Sequence, residues 1–243
     1  MSLILKINEI FNSLQGEIDG FGEQGCATTF IRLEGCNLIH PCTYCDTLNA
    51  FKDEDTQNAE TTEISVGEVL AKVNLPKVTI TGGEPLLQYQ AVVALTQELI
   101  FRGIRTTIET NGTVHVPGNF INISGILSNK EYRRCYLRIV MDYKLPSSGV
   151  EQLMDLYHLK QLQREDVVKF VVADIDDYTR MREILTTTVF AAKAVLSPVI
   201  KMNAGRPPDL TFAHRLAVML LNDETLKRRV QLGIQLHKFL GVL

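Results

Sequence analysis

Three cysteines lie close together in the first quarter of this 243-residue chain. Cys36, Cys42 and Cys45 fall within ten residues, directly after an apolar run that predicts a β-strand. Three thiolates can bind a metal ion or an iron–sulfur cluster, but they do not complete a four-coordinate site. The spacing therefore predicts a metal centre whose last position is filled from elsewhere.

Three kinds of chemistry fit these cysteines. A structural zinc ion needs a fourth ligand, and His40 between Cys36 and Cys42 is a candidate, but the chain has no second cysteine pair. A redox thiol pair of the thioredoxin type would use Cys42-Thr-Tyr-Cys45 and leave Cys36 without a role. A four-iron cluster would use all three thiolates and keep one iron open to a small-molecule ligand. The spacing favours the cluster, with zinc second.

The other two cysteines, Cys26 and Cys135, are isolated in the sequence. Free cysteine is commonly a small buried hydrophobe, and we expect both to be buried. Five cysteines is also an odd number, which argues for metal chemistry over a disulfide framework.

Composition limits the partners. The net charge of −3 gives no basic face for nucleic acid, so a small molecule is the expected partner. The N-terminus lacks the pattern of a signal peptide, and no stretch approaches the ~18 apolar residues that span a bilayer. We therefore expect a cytoplasmic protein without a membrane partner.

Strand and helix patterns alternate along the chain, which predicts an α/β fold with parallel strands. Helices are predicted over Leu86–Arg102 and Val150–Gln163, and a final strand over Val230–Leu236. Six β/α units are too few for a closed eight-stranded barrel, so we expect a partial (β/α)6 open barrel. A single domain over 1–243 is the simplest division, with a glycine-rich loop within about residues 1–25 and a C-terminal extension. The six predicted strands begin at Ala27, Lys77, Ile104, Tyr136, Val167 and Ala194.

Polar and glycine-rich clusters follow the ends of these strands. In parallel α/β folds the active site is built at the carboxyl edge of the sheet, so these clusters are expected to face one another. The turn Gly82-Gly83-Glu84-Pro85 could present backbone groups and a carboxylate to an ammonium, and Arg32 could clamp a carboxylate. The clusters are 35–47, 82–85, 109–112, 142–144 and 197–198.

The cysteine loop, taken together with Gly82-Gly83-Glu84-Pro85, resembles the radical S-adenosylmethionine (radical SAM) enzymes. Within them the chain is similar to the 7-carboxy-7-deazaguanine synthase family of the 7-deazapurine (queuosine, preQ0) pathway. Matching segments span nearly the whole chain and include Ser13-Leu-Gln-Gly-Glu17, Cys45-Asp-Thr47 and Gln235-Leu-His-Lys238.

The resemblance implies a role for many residues. Cys36, Cys42 and Cys45 would hold a [4Fe-4S] cluster whose fourth iron binds the methionine part of S-adenosylmethionine, and Thr47 would coordinate Mg²⁺. The residues implied to surround S-adenosylmethionine are Tyr44, Cys45, Asp46, Gly83, Glu84, Asp142, Tyr143, Lys144, Ser197, Pro198 and Val199. Those implied to contact the substrate are Leu14, Gln15, Gly16, Glu17, Arg32, Thr81, His237 and Leu243.

The implied reaction is the ring contraction of 6-carboxy-5,6,7,8-tetrahydropterin to 7-carboxy-7-deazaguanine with release of ammonia, by a carbon–nitrogen lyase. The resemblance also implies a homodimer and an electron donor such as flavodoxin or ferredoxin. A glycyl-radical activating enzyme and a non-catalytic zinc-stabilised domain are the alternatives. Apart from the resemblance, Thr47 is a turn residue and His237 a hydrogen-bonded residue at a strand end.

One feature departs from the superfamily pattern, in which three residues separate the first two cysteines. Here five residues, 37–41, lie between Cys36 and Cys42. We expect the extra length to form a bulge or to change access to the cluster.

Overall fold

Nine strands form one sheet in the computed structural model, which describes residues 3–51, 62–116, 134–200 and 208–242. The strands are β1 (Ile4–Leu14), β2 (Ala27–Leu33), β3 (Thr62–Ser65), β4 (Lys77–Gly82), β5 (Arg105–Thr110), β6 (Leu137–Tyr143), β7 (Val167–Val172), β8 (Lys193–Pro198) and β9 (Val230–Leu232). The helices of these ranges are α1 (Val66–Lys72), α2 (Tyr89–Phe101), α3 (Leu156–Gln161), α4 (Ile175–Thr187), α5 (Thr211–Asn222) and α6 (Leu236–Leu240).

The sheet has the order β3-β1-β2-β4-β5-β6-β7-β8-β9. Every neighbouring pair from β2 to β9 is parallel, whereas β1 runs antiparallel to both β2 and β3. The sheet stays open, with β3 and β9 at its two ends. The predicted α/β fold with an open parallel sheet is confirmed.

The central strands are apolar because both of their faces are covered. In β6 five consecutive residues, 137–141, are buried, and β4 begins with four buried residues. Helix α2 covers one face with Leu95, Leu99 and Ile100, which are fully buried. It ends before Gly103, whose φ of 73° closes the helix as the sequence predicts. The parallel strands are thus held by packing on both sides, and their carboxyl ends are free to carry chemistry.

Two predicted elements differ in the structure. The helix predicted over Val150–Gln163 is interrupted, because the Asp155 side chain accepts a hydrogen bond from the backbone of Tyr157 and starts α3 anew. The strand predicted over Val230–Leu236 ends at Leu232, and Leu236 instead begins α6. The histidine predicted at a strand end therefore lies on a short helix.

The prediction that Cys26 and Cys135 are buried is wrong, since both are exposed. Cys26 precedes β2 in a turn where its backbone bonds to Glu23, and burial in β2 starts only at Thr28. Both residues stand at element boundaries, which face solvent more often than strand interiors do. Within the described ranges, no helix is long and apolar enough to cross a membrane.

Candidate active site

A cavity of about 700 Å³ opens at the carboxyl ends of the parallel strands. Its volume lies within the range of small-molecule sites, roughly 300 to 1,000 Å³. It is lined by the ends of β2, β4, β5, β6, β7 and β8, and by residues of the C-terminal segment around α6. The expectation that the polar strand ends meet at one edge is confirmed.

The three cysteines of the loop after β2 all line this cavity. Cys42 packs with Leu38 and Val150 in a small apolar cluster, against which Cys36 and Cys45 also lie. Burial raises the pKa of the Cys36 and Cys42 thiols, so a bound metal centre is what would favour their thiolate forms.

Within the part of the chain that is described, no three His, Cys, Asp or Glu side chains converge on a single metal ion. A cubane cluster presents its irons at separate corners, so its thiolates surround it and do not meet at one point. Three thiols on the wall of one apolar-lined recess fit that requirement. His40, the suggested fourth zinc ligand, is exposed.

The long segment between Cys36 and Cys42 bulges towards solvent. Leu38 is buried, but Ile39 is 82% exposed and the two residues after it are also exposed. The chain turns inward again at the buried Cys42. Most of the extra length therefore faces solvent, although Pro41 also touches the cavity, and all three thiols stay on the cavity wall.

The backbone that follows the Gly82-Gly83 pair at the end of β4 holds the cysteine loop against the sheet. The backbone N–H of Gly83 donates to Leu33 O (3.1 Å), and that of Glu84 donates to Gly35 O (2.7 Å). A Cβ atom on Gly83 would lie 2.0 Å from Gly35 O. The sequence suggested glycines that admit a ligand, whereas the structure shows that they also admit the backbone just before Cys36.

Glu84 lies behind the cavity wall and does not line it. Its fully buried carboxylate accepts hydrogen bonds from the Thr110 hydroxyl (2.9 Å), the Asn111 backbone (2.7 Å) and the Leu86 backbone (2.9 Å). Burial raises the pKa of Glu84 to about 7 against the effect of these donors. In this structure Glu84 joins the ends of β4 and β5, and its contact with an ammonium stays a prediction.

Side-chain alternation divides the other predicted cofactor residues. Asp142 and Lys144 line the cavity and pair with each other at 2.8 Å. Tyr143 points to the other face of β6, where its ring packs on Phe170 in the core. At the end of β8, the cavity is lined by Ser197 and Val199 but not by Pro198.

The N-terminal loop and α6 close one end of the cavity together. The Leu236 backbone N–H donates to Gly16 O (2.8 Å), and Gln24 bonds the carbonyls of Gly16 and Ile234. The His237 ring lies so close to Gly16 that a Cβ on Gly16 would fall 1.8 Å from its Nδ1. A side chain at position 16 would therefore displace the His237 ring, and glycine lets the predicted substrate loop pack closely on the C-terminal helix.

A network of charged groups runs along the cavity. Lys169 on β7 pairs with Glu17 (2.7 Å) and approaches Asp142 (3.8 Å), and Gln235 donates to Glu17 (2.6 Å). Burial would raise the pKa of Glu17, but Lys169 and Gln235 hold it below its usual value. Burial, together with the neighbouring Glu17 charge, raises the pKa of Glu109 to about 7.

Lys169, Glu109 and Gln235 were assigned no role from the sequence, although all three line the cavity. Lys169 carried a usable signal, because it is the one charged residue within the apolar strand Val-Val-Lys-Phe-Val-Val. Glu109 stands in the polar cluster 109–112, which the sequence placed at the carboxyl edge of the sheet without giving Glu109 itself a role.

Arg32 and Thr47 both lie on the cavity wall, as predicted site residues. The Arg32 Nε donates to Glu9 (2.6 Å), and the guanidinium lies over the Phe11 ring at 5.5 Å. The Thr47 hydroxyl lies 3.8 Å from the Cys45 sulfur and caps no helix.

Nearly all of the predicted site residues share this cavity. The exceptions are Glu84, Tyr143 and Pro198, while Leu243 lies outside the described residues. The predicted residues that line the cavity are Leu14, Gln15, Gly16, Glu17, Arg32, Cys36, Cys42, Tyr44, Cys45, Asp46, Thr47, Thr81, Gly83, Asp142, Lys144, Ser197, Val199 and His237.

An open parallel sheet with three thiols beside its first parallel strand and a glycine pair beside the second is the architecture of a radical SAM enzyme. A family model described as the Radical SAM superfamily matches residues 30–120. The crystal structure of QueE from Escherichia coli has the same fold, with a TM-score of 0.67, 24% identity, and coverage of 96% of this chain and 95% of that one. Streptococcus suis SuiB bound to S-adenosylmethionine shares the fold at a TM-score of 0.51 and 17% identity, covering 84% of this chain and 51% of its own.

Full-length relatives identify the family within that class. A 7-carboxy-7-deazaguanine synthase of Clostridium acetobutylicum is 35% identical over 237 residues, which is 97% of this chain and 95% of the relative. One of Methanospirillum hungatei is 38% identical over 98% of this chain and 86% of the relative. The chain belongs to the 7-carboxy-7-deazaguanine synthase family. The predicted family and enzyme class are confirmed, and a [4Fe-4S] cluster and S-adenosylmethionine as cofactors follow from membership of the radical SAM class.

Proposed function

We propose that this chain converts 6-carboxy-5,6,7,8-tetrahydropterin to 7-carboxy-7-deazaguanine, with release of ammonia, for the synthesis of 7-deazapurines. The observation that carries the proposal is the cavity itself. Three free thiols, the glycine-rich first loop and His237 all line it. The family resemblance ties the first loop and His237 to the pterin.

We assign the cluster to Cys36, Cys42 and Cys45. Cys42 is buried with Leu38 and Val150, and Cys36 and Cys45 pack against this cluster, so one side of a bound cluster would lie against apolar side chains. When bound, the cluster supplies the electron that cleaves S-adenosylmethionine and so provides the radical that takes a hydrogen from the substrate. The chain's own residues bind and orient the two organic molecules.

For S-adenosylmethionine, the supporting residues are those at the ends of β4, β6 and β8. The backbone of Gly83 borders the cavity beside Cys36, and Asp142 with Lys144 adds a buried ion pair whose atoms can bond polar groups of the ligand. Glu84 holds Thr110 and Asn111 on the cavity wall, and we assign it to the ammonium of the cofactor on the family resemblance alone. Ser197 supplies a hydroxyl at the third strand end.

For the pterin, Arg32 is the expected partner of the carboxylate. Its Nε is committed to Glu9, so the terminal nitrogens would receive the two carboxylate oxygens. Glu17 and Glu109 supply acceptors for the N–H groups of the pterin ring, and Thr81 and His237 flank them. Leu14, Gln15 and Gly16 form the adjoining wall, and we extend the assignment to the C-terminal Leu243 on the family resemblance alone.

We also propose that Mg²⁺ binds at Thr47, between protein and substrate. The Thr47 hydroxyl faces the cavity, and a hard oxygen donor suits an ion that keeps most of its waters. Titrating Mg²⁺ into assays of the wild type and of Thr47→Val tests this assignment. We expect the variant to lose most of the Mg²⁺ stimulation, and an identical Mg²⁺ response in both proteins would remove Thr47 from the metal site.

The whole chain is proposed to act as a single domain, since the N-terminal loop and α6 meet over one cavity. The family resemblance further supports a homodimer, and an external flavodoxin or ferredoxin as the electron donor. Sedimentation velocity of the reconstituted protein tests the first of these, and reduction by purified donors tests the second.

The activity is tested by product formation. Protein reconstituted anaerobically with iron and sulfide is incubated with reductant, S-adenosylmethionine, Mg²⁺ and 6-carboxytetrahydropterin, and the product is identified by mass. We expect 7-carboxy-7-deazaguanine from the wild type and from Cys26→Ala, whose cysteine is exposed, but none from Cys45→Ala. Cofactor cleavage without this product would overturn the substrate assignment.

A further inference from the structure

Asn111, the first residue after β5, reaches across to the cysteine loop. Its amide nitrogen Nδ2 lies 3.8 Å from the Cys36 sulfur and 2.9 Å from the Asn37 side-chain oxygen. A primary amide carries two hydrogens, so one nitrogen can donate to both partners. Asn111 is only 8% exposed, and these contacts are therefore largely shielded from water.

The orientation of the Asn111 amide is set by its other end. The Oδ1 atom accepts hydrogen bonds from the Thr113 backbone (2.9 Å) and from the Thr113 hydroxyl (2.7 Å). Because the Thr113 backbone N–H can only donate, the amide oxygen must be the atom that faces Thr113, and the amide nitrogen is the atom that faces Cys36. The Asn111 backbone N–H is held by Glu84 (2.7 Å), which fixes the main chain at the same point.

A second asparagine completes the arrangement from the cysteine loop. Asn37 accepts from Asn111 and donates to the Thr113 hydroxyl (2.8 Å). The three side chains thus form a closed ring of hydrogen bonds between the loop after β2 and the turn after β5. The ring holds Asn111 in place whether or not the sulfur carries charge.

A hydrogen-bond donor that faces a cysteine ligand changes the reduction potential of an iron–sulfur cluster. Reduction adds negative charge to the cluster and its thiolates, and a hydrogen bond to sulfur stabilises that charge. At the Cys36 sulfur the negative fields of Glu84 and Cys45 disfavour added charge, whereas hydrogen bonds from the Leu38 backbone and from the Asn111 side chain favour it. Asn111 opposes them at close range.

We propose that Asn111 is a positioning residue for the cluster, which donates a hydrogen bond to the Cys36 ligand and raises the reduction potential of the [4Fe-4S] centre. The inference rests on the proposed ligation by Cys36. It concerns the ease of the first electron transfer and not the identity of the substrate.

The test is a potentiometric titration of the reconstituted cluster, followed by EPR, in the wild type and in Asn111→Leu. Leucine has nearly the shape of asparagine but no donor, so we expect a more negative midpoint potential at unchanged iron and sulfide content. The matched control is Thr113→Val, which removes the hydroxyl from the ring but leaves the Thr113 backbone N–H on Asn111 Oδ1 and the Glu84 contact with the Asn111 backbone, so that the amide stays beside the sulfur; its potential should stay at the wild-type value. An equal shift in both variants, or no shift in Asn111→Leu, would overturn the proposal.

A second measurement covers the case in which Asn111→Leu loads no cluster. ENDOR spectra of the reduced wild-type cluster are recorded in protein whose asparagines carry ¹⁵N at the side-chain Nδ2 atom. They should show a ¹⁵N coupling that is absent from protein labelled with ¹⁵N-threonine and from unlabelled protein. Absence of any asparagine coupling would contradict the hydrogen bond directly. A wild-type protein that binds no cluster would instead refute the ligand assignment, which iron analysis distinguishes from both results.

Discussion

At the scale of single residues, the cavity depends on buried charges that compensate one another. Lys169 is the central member, because it lies between Glu17 of the N-terminal loop and Asp142 of β6. Burial opposes its charge, yet the surrounding carboxylates raise the pKa of Lys169 above its usual value. Removing one partner of such a pair leaves an uncompensated charge, which costs more than the pair contributes.

We therefore expect Lys169→Met to lower the free energy of unfolding by about 3 kcal/mol, because the mostly buried Glu17 loses its cation. The double variant Lys169→Met with Glu17→Gln should recover part of that loss, since it no longer buries an unpaired carboxylate. Chemical denaturation of the four proteins of this cycle gives the coupling energy. Strictly additive effects would show that the two side chains do not form the pair.

Glu109 makes stability depend on pH. Its folded-state pKa of about 7 exceeds the unfolded value of 4.5, so the folded chain keeps a proton that the unfolded chain releases between those values. Stability must then fall as the pH rises from about 4.5 to 7. Between pH 5 and pH 8 the free energy of unfolding of the wild type should fall by on the order of 2 kcal/mol more than that of Glu109→Gln. If the difference in the free energy of unfolding between the two proteins stayed constant from pH 5 to pH 8, the raised pKa of Glu109 would be contradicted.

At the scale of elements, the close approach between the turn after β4 and the cysteine loop is the contact that places the thiols. Two backbone hydrogen bonds and the absence of a Cβ at Gly83 hold the chain at Gly35 beside the sheet. This contact is also why the glycine pair matters before any ligand binds.

Gly83→Ala should displace the cysteine loop, because its Cβ would occupy the space of Gly35 O, 2.0 Å away. We expect a folded protein by circular dichroism that reconstitutes with less than half of the wild-type iron. Gly67→Ala on α1 is the matched control, since its nearest neighbour is 3.9 Å away and alanine favours helix by roughly 0.5–1 kcal/mol. Full iron loading of Gly83→Ala would show that the contact is dispensable.

Much of this architecture could be predicted from patterns of about ten residues. The parallel strands and the end of α2 near Arg102 follow from local rules and agree with the structure. The break before α3 could not be predicted in this way, because an aspartate such as Asp155 within an apolar-periodic stretch is also compatible with a continuous helix. The hydrogen bonds from Thr110 and Asn111 to Glu84 could not be predicted from the sequence either, because they join the ends of two separate strands.

At the scale of the whole molecule, the site joins segments that are more than 200 residues apart. The first loop and α6 meet at Gly16 and His237, and the Asp46–Lys238 pair (2.9 Å) ties the cysteine loop to the same helix. Family resemblance assigned these segments to one site. Their mutual packing, in which the His237 ring lies directly against Gly16, became visible only in three dimensions.

Truncation after Gln235 removes α6 and so tests this closure. Loss of the Leu236 and Lys238 contacts should open one end of the cavity while the sheet stays intact. We expect product formation to fall at least tenfold, while 5′-deoxyadenosine is still released without product. Truncated protein that makes product at the wild-type rate would show that α6 plays no part in holding the substrate.

The central claim is that one cavity holds the cluster, S-adenosylmethionine and the pterin together. The measurement that tests it most directly is a crystal structure of the anaerobically reconstituted protein with both organic ligands bound. The account predicts a [4Fe-4S] cluster on Cys36, Cys42 and Cys45, S-adenosylmethionine beside Gly83, and the pterin carboxylate on the terminal nitrogens of Arg32. A cluster held by other residues, or a pterin bound outside the cavity between the first loop and α6, would contradict it.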